Sequence, residues 1–181
     1  ETISSARQVM DYVKTIGSHY ADANKHMEWI TPTNFLVVQP YLNTKKRRIE
    51  THIDGSIVRL SYQQEMDDVN RSRITTGSSP NFIHSLDASV LHLAVVKAKQ
   101  KGVTNFSLIH DSFGCVAPDV DMLSEAIREA FCEIYENDVL ANWAMEMRQM
   151  LSYKNMKKFP NIPARGNLDL SLVKQSVFFC V

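Results

Sequence analysis

One aspartate lies where a carboxylate could serve a metal. It is Asp111, in the stretch Asn105-Phe-Ser-Leu-Ile-His-Asp-Ser-Phe-Gly-Cys-Val-Ala-Pro118. Phe106, Leu108 and Ile109 on one side, and Cys115, Val116 and Ala117 on the other, are apolar. The polar centre His110-Asp111-Ser112-Phe113-Gly114 lies between them, so residues 105–118 read as a β-hairpin. The spacing predicts a hairpin buried in the fold with one carboxylate at its tip, a suitable oxygen ligand for a hard divalent cation. Aspartate and glycine also favour turns for local reasons alone. The adjacent His110 and the apolar flanks favour the metal reading over a plain surface turn.

A second constellation could read DNA. Arg48–Ile53 and Ser56–Tyr62 are joined by Asp54-Gly55, a strong hairpin signal. Alternation places Arg48, Glu50 and His52 on one face of the first arm and Ile49, Thr51 and Ile53 on the other. Lys45-Lys-Arg-Arg48 leads in, and Arg59 lies on the return arm. A two-stranded ribbon fits the major groove, where arginine pairs with guanine. The competing reading is a solvated hairpin whose charges guard its edges against aggregation.

The remaining elements must position these groups. A helix is expected from Thr2 to about Lys25, whole or broken at Gly17, and Phe35–Val38 is a short strand candidate. Residues 65–77 read as a polar loop. Ser79 and Pro80 suit a helix start, and Ile83, Leu86, Val90, Leu91, Ala94, Val95 and Ala98 trace one face of a helix ended by Gly102. His84 and Asp87 fall at i, i+3 near that start. A lone histidine there is ordinarily a structural hydrogen-bonder. Residues 119–137 carry the stripe Leu123, Ala126, Ile127, Ala130, Phe131, Ile134 and Tyr135, which is core packing. Leu140, Trp143, Ala144, Met147, Met150 and Leu151 make another helix, and Ser176–Val181 an apolar tail.

Composition limits the rest. The 181 residues carry 44% hydrophobic and 22% charged side chains, with zero formal net charge. Nucleic-acid binding must therefore come from a local patch. Cys115, Cys132 and Cys180 form neither a paired framework nor a metal spacing, and they suit a reducing compartment. No run is long and apolar enough for a membrane helix, and no signal-peptide pattern opens the chain.

His110-Asp111-Ser112-Phe113 resembles motif C of the single-subunit, bacteriophage-type DNA-dependent RNA polymerases, a group with mitochondrial relatives. Family A DNA polymerases have glutamate where this chain has Ser112. The resemblance extends from Trp29 to Val181 with its anchors in order. Trp29-Ile-Thr-Pro32 leads toward the promoter-specificity hairpin. Pro80-Asn-Phe-Ile-His84-Ser-Leu-Asp87 matches the junction of fingers and palm. Pro163-Ala-Arg-Gly-Asn-Leu-Asp-Leu170 matches the closing segment.

The resemblance implies template-directed nucleotidyl transfer from ribonucleoside triphosphates with two Mg²⁺ ions. It implies Asp111 as a metal ligand, His110 as an active-site residue and His84 close to the nucleotide. It places Arg48 and Arg59, with Lys46 and Glu50, near DNA bases. The implied partners are double-stranded promoter DNA, the template strand, nascent RNA, ribonucleoside triphosphates and the rest of the polymerase chain, with no membrane. The implied fold is α+β, mostly helical with two β-hairpins, as part of a right-hand polymerase. Residues 1–84 would end the fingers, with the specificity-type hairpin at 45–62, and residues 85–181 would form the second half of the palm.

The family's upstream aspartate motif and its lysine- and tyrosine-bearing fingers helix have no counterpart here. The chain is therefore expected to be a C-terminal piece, cut at its N-terminus, native at its C-terminus and inactive alone. Its expected location is the host cytoplasm if phage-encoded, or an organelle. The alternatives are the equivalent piece of a family A DNA polymerase and a non-catalytic, sequence-specific DNA-binding module.

Overall fold

Two apolar clusters, strung along one long helix, organise the chain. The computed structural model describes residues 2–109, 111–151, 159–177 and 179. In order, α1 (Thr2–Asp22) is followed by β1 (Met27–Ile30), β2 (Leu36–Gln39), β3 (Leu42–Ile53) and β4 (Ser56–Val69). Then come α2 (Arg71–Gln100), β5 (Phe106–Ile109), β6 (Ser112–Cys115), a 3₁₀ turn at Ala117–Asp119, α3 (Val120–Glu136), α4 (Val139–Gln149) and α5 (Ser171–Gln175). The fold is α+β, about half helical. Among the described residues the strands form three separate two-stranded antiparallel sheets, β1–β2, β3–β4 and β5–β6, one hairpin more than expected.

The first cluster joins α1, β1, the N-terminal half of α2 and α4. Val13, Ile16, Tyr20, Met27, Trp29, Ile74, Phe82, Trp143 and Met147 are among its buried members. Trp29, Phe82 and Trp143 meet as an aromatic trio, with ring centroids 4.8–6.5 Å apart. Each such pair adds roughly 0.5–1.5 kcal/mol beyond the area it buries. The second cluster joins the C-terminal half of α2 to α3 through Ala94, Ala98, Val103, Leu123, Ala126, Ile127 and Ala130.

α1 is continuous through Gly17, and the glycine has another purpose. A Cβ there would lie 2.8 Å from Ser78 Oγ and 3.3 Å from the Ile74 carbonyl oxygen. The missing side chain thus lets α1 and α2 approach closely. This contact helps bury Ser78, while Ser85 is held by the Trp29 Nε1 hydrogen bond and Ser89 donates to the Ser85 carbonyl; Ile83, expected on the core face, is exposed.

Residues 65–77 are not a loop. Glu65–Val69 completes β4, with Leu42 opposite Val69 and an irregularity between Leu42 and Thr44. α2 then begins at Arg71. Asn70 caps it, its side chain accepting from the Arg73 N–H at 2.9 Å. Pro80 therefore lies inside the helix instead of opening it. Proline removes one N–H from the backbone ladder. Around it, Thr76 Oγ1 donates to the Ser72 carbonyl at 2.8 Å and Ser78 Oγ to Thr75 at 3.1 Å. Packing of Ile74 before the proline and Phe82 after it holds both halves to one core. Gly102, at φ 106°, closes the helix, with the Val103 N–H donating to the Ala98 carbonyl at 3.0 Å.

Candidate functional site

The metal candidate sits at the turn of a hairpin. Ile109 pairs with Ser112, so Asp111 lies at the turn between β5 and β6, and Ser112, Phe113 and Gly114 belong to the second strand. Phe106, Leu108, Phe113 and Cys115 share one face by register. Through Phe106, Phe113 and Cys115 that face packs on the second cluster. The opposite face carries Ser107, Ile109, Ser112 and Gly114.

The expectation of a buried hairpin is corrected here. Asp111 is exposed, and Ile109 is 65% exposed. A two-stranded sheet has two faces, and this chain covers one. His110 lies outside the described residues.

His84 and Asp87 lie on exposed positions of α2, one turn apart. The same helix reaches the second cluster, on which the Asp111 hairpin rests. α2 thus connects the His84 position to the support of Asp111. Among the described residues no group of three or more histidine, cysteine, aspartate or glutamate side chains could hold a metal ion. Asp111 is a suitable hard ligand for Mg²⁺, but one carboxylate does not complete a site.

The ribbon candidates do come together. Glu50 pairs with Arg59, Arg48 with Ser61, and Lys46 with Gln63. Cross-strand partners share a face, so Lys46, Arg48, Glu50 and Arg59 form one polar surface, joined by His52, Ser61 and Gln63. Arg59 Nε donates to Glu50 Oε1 at 2.7 Å. Lys45 and Arg47 lie on the reverse face with Ile49, Leu60 and Tyr62. Asp54, at φ 50°, and Gly55, at φ 79°, form the turn, as Asp-Gly predicts. Ser61 and Gln63 were not legible in the sequence, because their face depends on return-arm register. The ribbon and the Asp111 hairpin are separate sheets.

A cleft of about 530 Å³ was also missed. Trp29, Phe82 and Trp143 line it, with Ser85 and Glu146. Trp29 Nε1 donates to Ser85 Oγ at 3.1 Å, and Glu146 Oε1 accepts from the Ile30 N–H at 3.0 Å. Burial pushes the Glu146 carboxyl above the usual range. The Ile30 N–H opposes this, and the negative charge of Glu28 adds to it.

A carboxyl whose folded pKa is raised favours folding when protonated. That contribution is full below the ordinary value of 4.5 and is lost as pH rises through the folded value. Glu146→Gln keeps an oxygen for Ile30 and removes the charge. It should melt higher than the parent at neutral pH, with the gap closing as pH falls toward 4.5. Thermal unfolding across that range tests this, and a lower melting temperature at neutral pH counts against it.

The closing segment has a visible structural role. Arg165 donates through Nη2 to the carbonyls of Tyr135 and Glu136 at 2.6 and 3.0 Å, satisfying the end of α3. In the tail, Phe179 packs edge-on to Phe131, at 5.1 Å between centroids.

The comparisons with known proteins agree with this frame. The family model for DNA-dependent RNA polymerase matches residues 1–158. The chain belongs to that family, in its single-subunit, phage-type branch. It is 37% identical over 179 residues to DNA-directed RNA polymerase 2, chloroplastic/mitochondrial, of Arabidopsis thaliana, covering 99% of this chain and 17% of that protein. It is 36% identical to DNA-directed RNA polymerase 2A of Nicotiana tabacum, covering 99% of this chain and 52% of that protein. The chain thus spans a sixth to a half of the polymerases it matches. Membership sets aside the family A DNA polymerase reading and that of a stand-alone DNA-binding module. Among the described residues, no helix of this polymerase segment is long and apolar enough to cross a membrane.

Proposed function

We propose that this chain is the part of a single-subunit RNA polymerase that brings a metal-binding aspartate and a promoter-reading ribbon to promoter-directed transcription. The observation that carries the reading is Asp111, at the turn of a hairpin anchored to α2 and α3, in a chain of this family. Asp111 would contribute one carboxylate to a Mg²⁺ site, with further ligands from outside this chain. When bound, Mg²⁺ neutralises charge on the reacting phosphate and orients its oxygens.

His84, exposed on α2, and His110 serve as positioning groups near the RNA end and incoming nucleotide. Lys46, Arg48, Glu50 and Arg59 face promoter DNA. The partners are promoter duplex, template strand, nascent RNA, ribonucleoside triphosphates and the remaining polymerase.

Residues 1–84 serve as the end of the fingers and 85–181 as the second half of the palm, with α2 running unbroken across the join. The chloroplastic and mitochondrial names among the relatives favour an organelle over a host cytoplasm. The chain alone is inactive, since among the described residues no group of acidic, histidine or cysteine side chains completes a metal site.

The intact polymerase containing this segment should incorporate ribonucleotides on its promoter and stop when Mg²⁺ is chelated. Incorporation that survives chelation, or that favours deoxynucleotides, overturns the reading. In the same assay His84→Ala should slow addition or raise deoxynucleotide incorporation while DNA binding holds. Parental kinetics and sugar selection would remove His84 from the site.

A further inference from the structure

The ribbon holds one of its two candidate arginines before any DNA arrives. Arg59 and Glu50 are direct cross-strand partners, and Arg59 Nε donates to Glu50 Oε1 at 2.7 Å. Arg48, two positions along the same face from Glu50, lies opposite Ser61 instead. Among the described residues no ion pair engages it. Both members of the 50–59 pair are well exposed, with side chains 77% and 58% accessible. An ion pair so wet contributes little to stability, and its geometry is the better clue to its use.

A guanidinium has five N–H donors in a fixed fork. Engaging Nε leaves the Nη donors at the far end free to meet O6 and N7 of guanine. An arginine free to sample its rotamers loses that freedom on binding, and a carboxylate that holds it beforehand reduces this cost.

We propose that Glu50 is a positioning residue for Arg59, and that the Glu50–Arg59 pair is the guanine-reading unit of the return arm. The proposal rests on the reading of this ribbon as a promoter contact. It gives Glu50 two effects of opposite sign. Its charge repels phosphates, which lowers affinity for any DNA. Its hold on Arg59 sharpens the choice among base pairs. A glutamate reading a base itself would act differently. It would accept from cytosine N4 at its own base pair and owe nothing to Arg59.

The test uses the intact polymerase and fluorescent duplexes carrying the cognate promoter, single base-pair replacements of it, or a scrambled sequence. Glu50→Ala should bind scrambled DNA more tightly than the parent. It should also lose about five-fold or more of the cognate-to-scrambled ratio, at the base pair sensed by Arg59→Ala. The double variant should discriminate no worse than Arg59→Ala alone. Glu50→Gln, which retains an acceptor oxygen for Nε, should keep most of the discrimination.

Loss at a different base pair, or losses that add in the double variant, would make Glu50 a base reader and overturn the proposal. Unchanged discrimination in Glu50→Ala would reduce the pair to a surface contact and overturn it equally. If Arg48→Ala and Arg59→Ala both leave discrimination intact, the promoter-reading ribbon itself fails, a result visible without any Glu50 variant.

Discussion

Asp111→Asn in the intact polymerase should leave promoter binding close to the parental value and cut nucleotide addition by at least about 100-fold. Asparagine matches the shape of aspartate and is at home in turns, so the β5–β6 hairpin should keep its register. Asp111 is exposed and closes no packing contact in either apolar cluster, so the change leaves the core intact. What it removes is the formal charge through which a hard cation is held. Losing several kcal/mol of charge stabilisation at the reacting phosphate corresponds to two or more powers of ten in rate. Single-nucleotide extension of a preassembled primer–template measures addition apart from promoter binding. Extension near the parental rate would remove Asp111 from the metal site.

Arg48→Ala should weaken the cognate promoter far more than non-specific DNA. A bidentate arginine–guanine pair supplies about 1–3 kcal/mol of discrimination, roughly 5- to 150-fold in relative affinity. Arg59→Ala should act in the same direction. The register supplies the control, since Lys45 lies on the reverse face of the ribbon from Arg48. Lys45→Ala should weaken cognate and scrambled duplexes alike and only modestly, because its charge acts on the phosphates without sequence information. Extension on a preassembled primer–template should survive all three changes. Equal losses on cognate and scrambled DNA for both arginine variants would leave the ribbon an electrostatic handle. No loss at all would leave it a solvated hairpin.

Local chemistry was legible where it dominates the fold. Asp54-Gly55 marked its turn because only a few residues accept positive φ at low cost. The stripe from Leu123 to Tyr135 marked α3, because a helix packed on one side repeats its apolar residues with its own period. The start of α2 was not legible. Pro80 suits a first turn so well that it hid two turns of serine, threonine and arginine before it. Those turns are helical through the Asn70 cap and the packing of Ile74 on α1, and no hydrophobic pattern reports either. Ser78 is buried for a related reason, the close approach permitted by Gly17 on a distant helix. The candidate residues could be named from the sequence. The exposure of Asp111 and the shared face of Glu50 and Arg59 could not, because packing and register decide them.

α2 is 30 residues long, about 45 Å as a helix, and both clusters are built on it. The two cores therefore share one continuous helix. Losing either would strip the packing from half of a helix that the other half still holds. Conversely, helical order started at one end lowers the cost of adding turns toward the other, since elongation is far easier than nucleation. The chain thus has a shared spine, and the ribbon, exposed along most of both strands, lies largely outside it. A change in the ribbon can therefore leave the support of the Asp111 hairpin untouched.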